Sequence, residues 1–406
     1  MSSPKKNKVR VDQAIRFLLE NSLLLIGGSA LALIWANVNP TSYHQLLHTS
    51  LAPSAEGDSF SLVHVVNDGL MALFFAMAAK EVWESLLPGG VLSKWKTAAT
   101  PLMATLGGVV MPATVYIAGC WLTGRWEDLG RGWAIPCATD IAFSYLVARI
   151  VFGNGHPAIA FLLLLAIADD AAGLLILAIA YPQEALQPQW LLGAVAAVAL
   201  GIAFRRFGVR SFWWYLLGPG VLSWVSFHYS GVHAALGLVP IITTMPHSRT
   251  DDGLFVESSD DTANTLGEFA RWWKNPVELI LGLFGLVNAG VVMSNTGTAT
   301  WLVLSALLLG KPLGITLFTF LGEKLFHLER PTGMTYRHVV TMGVVAGIGF
   351  TVALFVSTAA FSEPGTIQDS AKMGALGSFA AALIAVPLGR ILKVKNAESG
   401  NTSPNS

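Results

Sequence analysis

Residues 158–181 read AIAFLLLLAIADDAAGLLILAIAY. An apolar run of this length is what a helix needs to cross a hydrocarbon core, which takes about 20 residues. Only Asp169 and Asp170 interrupt it, and no basic residue stands nearby to pair them. An acid at mid-span costs about 2.5–3.5 kcal/mol on insertion scales, so such residues mark ion or proton pathways. Consecutive helical residues project about 100° apart, so the two acids do not face each other as i,i+4 pairs do. Two carboxylates brought within about 4 Å of one ion repel by about 4 kcal/mol at an effective dielectric of 20. Such a pair binds either protons or a small hard cation, which takes oxygen ligands.

The rest of the chain agrees with a membrane solvent. Of its 406 residues, 53% are hydrophobic and only 12% are charged. Mean hydropathy is +0.57, whereas soluble domains carry roughly 25% charged residues. Formal net charge is zero, so no nucleic-acid footprint is present. The two cysteines, Cys120 and Cys137, offer neither a disulfide framework nor metal-ligand spacing. The run from Ile15 to Trp35 is too long for a signal-peptide core and reads as an uncleaved first span.

Apolar periodicity predicts an all-α polytopic membrane protein of about twelve spans. They lie near 13–37, 64–87, 98–121, 133–152, 157–181, 189–206, 211–228, 231–246, 275–296, 300–326, 336–361 and 372–393. Only HYSGVH separates the seventh from the eighth. A transporter domain over 13–395 is expected, between short tails at 1–12 and 396–406. Basic residues crowd one set of loops, from Lys5, Lys6, Lys8 and Arg10 to Arg390, Lys393 and Lys395. The other set holds only Arg125, Arg131 and Lys372. The positive-inside rule then places both termini in the cytoplasm, as an even span count also requires. The loop 246–274 is acidic at RTDDGLFVESSDDT and reads as a solvated linker.

Few ionisable residues remain at depth: Asp140, Asp169, Asp170 and Lys311, with Lys80 and Glu81 in the second span and Asp68 and Glu84 nearer its ends. A structural helix–helix contact would account for one isolated acid. Three acids and a lysine on neighbouring spans point to an ion site. GWAIPCATDIAFS, residues 132–144, interrupts the fourth span: Pro136 removes a backbone donor, and Thr139 and Asp140 supply oxygens. VAGIGFTVAL, residues 345–354, centres Gly347 and Gly349 in the eleventh span. Spans three to five and ten to twelve thus form two three-helix units with interrupted middle helices. An odd span count per unit makes them inverted repeats, the pattern of a transporter site. Lys311, early in the tenth span beside Pro312, either pairs with an aspartate, sits against exposed carbonyls, or snorkels to an interface.

Seven stretches, NDGLMALFF, GWAIPCATDIAF, LAIADDAAG, SGVHAALG, NAG, GKPLGI and GIGFT, occur in the order that marks the NhaA family of bacterial Na⁺/H⁺ antiporters. The chain resembles that family from about Ile15 to Lys393. The resemblance implies that Asp169 and Asp170 bind Na⁺, Li⁺ and protons, and that Asp140 and Thr139 belong to the unwound fourth helix. It implies that Lys311 pairs with an aspartate and balances the crossed-helix dipoles, and that Glu81 takes part in pH response. It implies an inner-membrane protein, a homodimer, a short β-hairpin near 41–60, and no cofactor beyond the transported ions. One departure bears on pH control. Where the family carries basic residues soon after the glutamate, this chain has Val82, Trp83, Glu84 and Ser85, with Lys80 before it. The cytoplasmic funnel is therefore altered.

Other classes fit less well. A sodium-coupled solute symporter can share crossed broken helices, but adjacent acids argue against an organic anion. A membrane-embedded aspartyl protease pairs Tyr-Asp with Gly-x-Gly-Asp, and neither motif surrounds Asp140 or Asp170. No enzymatic activity is expected.

Overall fold

The computed structural model describes residues 22–52, 60–93, 95–247 and 264–395. The expected tails, the start of the first span and the acidic stretch 251–261 lie outside the described residues. Among the described residues the chain is helical apart from a two-stranded antiparallel ribbon, Ser50–Ala52 with Phe60–Ser61. Six helices among the described residues are long and apolar enough to cross a membrane, and two bent helix pairs raise that number to as many as eight. The chain divides into two compact units.

The first unit takes residues up to Ser93, Asp170–Gly297 and Leu354–Met373. Its helices include Leu23–Val38, Pro40–His48, Met71–Leu86, Pro188–Arg206 and Thr265–Asn288. Pro40–His48 takes the first part of the segment expected to be hairpin, and the antiparallel ribbon follows it. Asn39 accepts from the Ser42 amide and Pro40 starts the helix, a capped beginning that outcompetes extension. Within this unit Phe75 and Phe284 both meet Phe355, with centroids 4.8 and 6.2 Å away. Asn67 and Asn288 exchange side-chain hydrogen bonds of 3.1 and 2.8 Å, so polar atoms in buried surroundings satisfy each other.

Two expectations are corrected here. Residues 231–246 do not form a continuous helix but two single turns, Ala234–Leu236 and Val239–Ile242. Gly231 adopts φ +82° and Pro240 lacks a donor, so an apolar stretch folds irregularly inside protein, as membrane depth permits only there. The ninth helix starts at Thr265 rather than 275. Asn264 caps it through the Gly267 amide, which shortens the loop expected at 246–274.

The second unit takes residues 94–169, Thr298–Ala353 and the chain from Gly374 onward. Helix Trp95–Leu122 packs against Lys311–Phe326. A Cβ on Gly107 or Gly314 would overlap the other's carbonyl oxygen, so these two glycines allow the backbones to touch. A π-helical turn, Ala306–Gly310, precedes Lys311. Pro312 cannot donate to the preceding turn, which loosens the helix there. The fourth span runs through Trp126–Leu129 and a 3₁₀ segment, Gly130–Cys137, into Ile141–Phe152 with a 54° bend. The eleventh bends by 50° between Tyr336–Ala346 and Phe350–Ala360.

At one end of this unit His156 is buried, its Nδ1 accepting from the Ala158 amide at 3.0 Å. Its ring stacks on His338 and Phe152, centroids 4.7 and 5.5 Å away. Burial, and secondarily His338, hold the His156 imidazole below its ordinary value. The unfolded chain therefore takes up a proton first as pH falls. His156 adds stability above the unfolded value of about 6.5, and that contribution is lost as pH falls through the lower folded value. Melting of the purified protein between pH 8 and 5 should show a stability loss on the acid side. His156→Asn, which keeps a neutral acceptor, should flatten it; an unchanged slope would refute this assignment.

Candidate ion-exchange site

The site lies where the bends of the fourth and eleventh spans meet, at residues 138–140 and 347–349 of the second unit. The fourth span stops being helical at Ala138–Asp140, not at Pro136. Ala138 and Asp140 are extended, with ψ 155° and 105°. Pro136 sits inside the tighter 3₁₀ segment. The eleventh span opens at Gly347–Gly349. The two openings are tied together by the Asp140 amide, which donates to the Ile348 carbonyl at 2.8 Å. A Cβ on Gly349 would press on the Ala138 carbonyl at 3.2 Å and the Leu307 side chain at 3.1 Å, so that position favours glycine.

Four half-helix ends converge here, and each end leaves backbone groups unsatisfied. The N-terminal ends of Ile141–Phe152 and Phe350–Ala360 are met by one carboxylate. Asp140 Oδ1 accepts from the Phe143 amide at 3.3 Å. Its Oδ2 accepts from the Thr351 amide at 3.1 Å and from the Thr351 hydroxyl. A negative charge at two positive helix ends is stabilising. The C-terminal ends are met by a lysine and a hydroxyl. Lys311 Nζ donates to the Cys137 carbonyl at 2.7 Å. Thr139 Oγ1 lies 3.1 Å from the Ala346 carbonyl.

Lys311 also settles its partner. Its Nζ lies 3.1 Å from Asp169 Oδ2, and both side chains are fully buried. The same Oδ2 receives the Thr139 hydroxyl at 2.6 Å. Lys311 is mid-way along the Thr298–Phe326 span, not early in it, and does not snorkel. Among the described residues Asp169 Oδ1 has no hydrogen-bond partner, so this carboxylate keeps acceptor capacity for a cation. Asp170 follows about 100° round the helix, is half-buried, and belongs to the first unit.

The remaining candidates sit in the first unit. Asp68 lies in a π-helical turn, Val65–Leu70. Its Oδ1 accepts from Gln183 Nε2 at 3.1 Å and lies 3.8 Å from His233 Nδ1. Lys80 Nζ bridges Glu84 Oε2 at 2.7 Å and Glu81 Oε1 at 3.1 Å. One lysine thus answers two glutamates, at the positions where the sequence departs from the family. Thr351, Gln183 and the Cys137 carbonyl are participants that sequence reasoning missed. Thr351 closes the quoted stretch GIGFT, whereas nothing around Gln183 signals a role. Cys120 and Cys137 are both free and buried.

Comparison with known proteins decides the family. The family described as "Na+/H+ antiporter 1" matches residues 13–388. The chain belongs to this Na⁺/H⁺ antiporter family. It is 48% identical over 416 aligned positions to a protein of Jannaschia sp. (strain CCS1) named "Na(+)/H(+) antiporter NhaA", covering 94% of this chain and 98% of that one. A relative of the same name from Desulfitobacterium hafniense (strain DSM 10664 / DCB-2) is 47% identical, covering 97% and 98%. Among solved structures, the sodium proton antiporter MjNhaP1 from Methanocaldococcus jannaschii at pH 8 aligns over 95% of this chain and 97% of its own. Identity is 16% and the TM-score 0.48. The chain is thus a multi-pass membrane protein of an ion-transporting family.

Proposed function

We propose that the chain exports Na⁺ or Li⁺ in exchange for a larger number of protons, by alternating access, with Asp169, Asp170 and Lys311 as the exchanging groups. The observation that carries this reading is the buried Lys311–Asp169 pair with Asp169 Oδ1 unused. An arriving Na⁺ takes oxygen ligands from the two aspartates. Asp170 gives up one proton, and Lys311 gives up another as its pair with Asp169 breaks. Reversal on the other side of the membrane reloads both groups. More positive charge then moves inward as protons than outward as sodium, so exchange is electrogenic and driven by the membrane potential. At low pH the protons hold the site, sodium is excluded, and transport stops.

Asp140 acts differently in this reading. Its carboxylate already accepts three protein hydrogen bonds, so it braces the crossing while Thr139 orients Asp169. Asp68, Glu81 and Glu84 tune access and pH response around Lys80. About twelve spans, inverted repeats over spans three to five and ten to twelve, cytoplasmic termini, a homodimer and a bacterial inner-membrane location complete the proposal. The two bends of 54° and 50° support the repeats.

The test is sodium-driven proton movement in proteoliposomes between pH 6 and 9, with the potential clamped or imposed. We expect proton release on sodium addition, loss of activity toward pH 6, and a rate that responds to voltage. Indifference to voltage would remove the unequal stoichiometry. Sodium-dependent uptake of an organic solute without proton movement would replace antiport by symport.

A further inference from the structure

A third span is interrupted beside the crossing. Thr366–Gly377 and Ala380–Ile391 are separate helices, joined by a turn at Ser378 and Phe379 in which bonds tighten to three residues. The Ser378 amide donates to the Ala375 carbonyl, the Phe379 amide to Leu376, and the Ala381 amide to Ser378. Ser378 is fully buried. Its hydroxyl donates to the Ala375 carbonyl at 2.6 Å. It also accepts from the Gly349 amide at 3.3 Å, a backbone donor at the opening of the eleventh span. Phe379 is the neighbouring contact. Its ring lies 5.1 Å from Phe143 and 4.5 Å from Phe350, and those two rings are 5.7 Å apart.

These contacts fall on the groups that hold Asp140. Phe143 supplies one amide to its carboxylate, and Thr351, next to Phe350, supplies the other. Gly349 lies immediately before them in the chain, and its amide ends on Ser378. The turn in the last span therefore touches both openings of the crossing, through a ring on each and a hydroxyl on one. We infer that Ser378 and Phe379 are positioning residues for ion exchange: they fix the separation of the two half-helix N-termini that share Asp140. Through Asp140 they fix Thr139, which is bonded to Asp169. The inference rests on the antiport reading above. It adds a third interrupted helix to the two that carry the site residues.

Removing the Ser378 hydroxyl leaves the buried Gly349 amide unpaired, a loss that corresponds to about tenfold in an equilibrium. A positioning role puts that loss into the bound geometry. Ser378→Ala should raise the apparent sodium KM about tenfold and displace the pH profile. Maximal rate per folded protein should change little. Ser378→Thr, which restores a hydroxyl, should return both toward wild type. Phe379→Leu, which keeps an apolar residue but loses the aromatic contacts, should raise KM in the same direction and serves if Ser378→Ala fails to assemble. All variants are assayed in proteoliposomes beside wild type, with folded protein quantified. Wild-type vesicles without sodium–proton exchange would defeat the antiport reading itself. Active wild type with variant KM and pH profiles unchanged, and rates that follow only the amount of folded protein, would overturn the positioning role.

Discussion

Asp170→Asn and, separately, Asp169→Asn are expected to abolish sodium-dependent proton release from proteoliposomes. An asparagine keeps the size of the side chain and one oxygen, but it has no proton to exchange and no charge to offer a cation. A monovalent cation about 4 Å from a carboxylate is held by about 4 kcal/mol at an effective dielectric of 20, a factor of roughly a thousand. Removing either charge thus takes sodium binding out of a working range; Asp170→Asn also deletes an exchangeable proton, and Asp169→Asn removes the partner whose pair with Lys311 has to break. Asp140→Asn should impair transport without eliminating it. Its carboxylate faces the Phe143 amide and the Thr351 amide and hydroxyl, which an amide oxygen can partly serve. Normal exchange in the Asp170 variant would sink the site assignment. Equal loss in all three variants would show that Asp140 belongs with the exchanging groups.

What could be read from the sequence was whatever the membrane makes costly. Asp169 and Asp170 announce themselves because carboxylates in an apolar run need a reason. The fourth and eleventh spans announce their interruptions through Pro136, Thr139, Asp140, Gly347 and Gly349, residues that free or crowd backbone groups. The position of the fourth-span break was less legible. Proline ends regular α pairing but fits a 3₁₀ segment, so the chain opens two residues later, at Ala138–Asp140, where Asp140 reaches two helix N-termini. Thr351 and Ser378 were silent because hydroxyls occur throughout spans without ion chemistry, and only coordinates show whose amide they meet. Residues 231–246 misled for a related reason. Apolar composition reports burial, and burial is compatible with an irregular path through Gly231 and Pro240. The choice of Asp169 as the partner of Lys311 depended on contacts between distant segments, beyond the reach of any local pattern.

That pairing supports the second large prediction. Lys311→Met is expected to destabilise the protein by about 3–5 kcal/mol, the cost of removing one member of a buried ion pair. Methionine fills a similar volume, so packing around Gly108, whose added Cβ would lie 3.8 Å from Lys311 Cε, is largely kept. The loss comes from what remains. Asp169 is left buried with only the Thr139 hydroxyl, and the Cys137 carbonyl at a half-helix end loses its donor. Pairing Lys311→Met with Asp169→Asn removes the stranded charge. Replacing both members of a buried pair is often neutral, so the double variant should melt above the Lys311 single variant. The coupling energy in that cycle should exceed about 1 kcal/mol, well above what separate sites show. Melting temperatures of the four proteins in one detergent measure this directly. Additive losses would mean that Lys311 and Asp169 are not energetically paired, and the release of a lysine proton on sodium binding would then lose its structural basis.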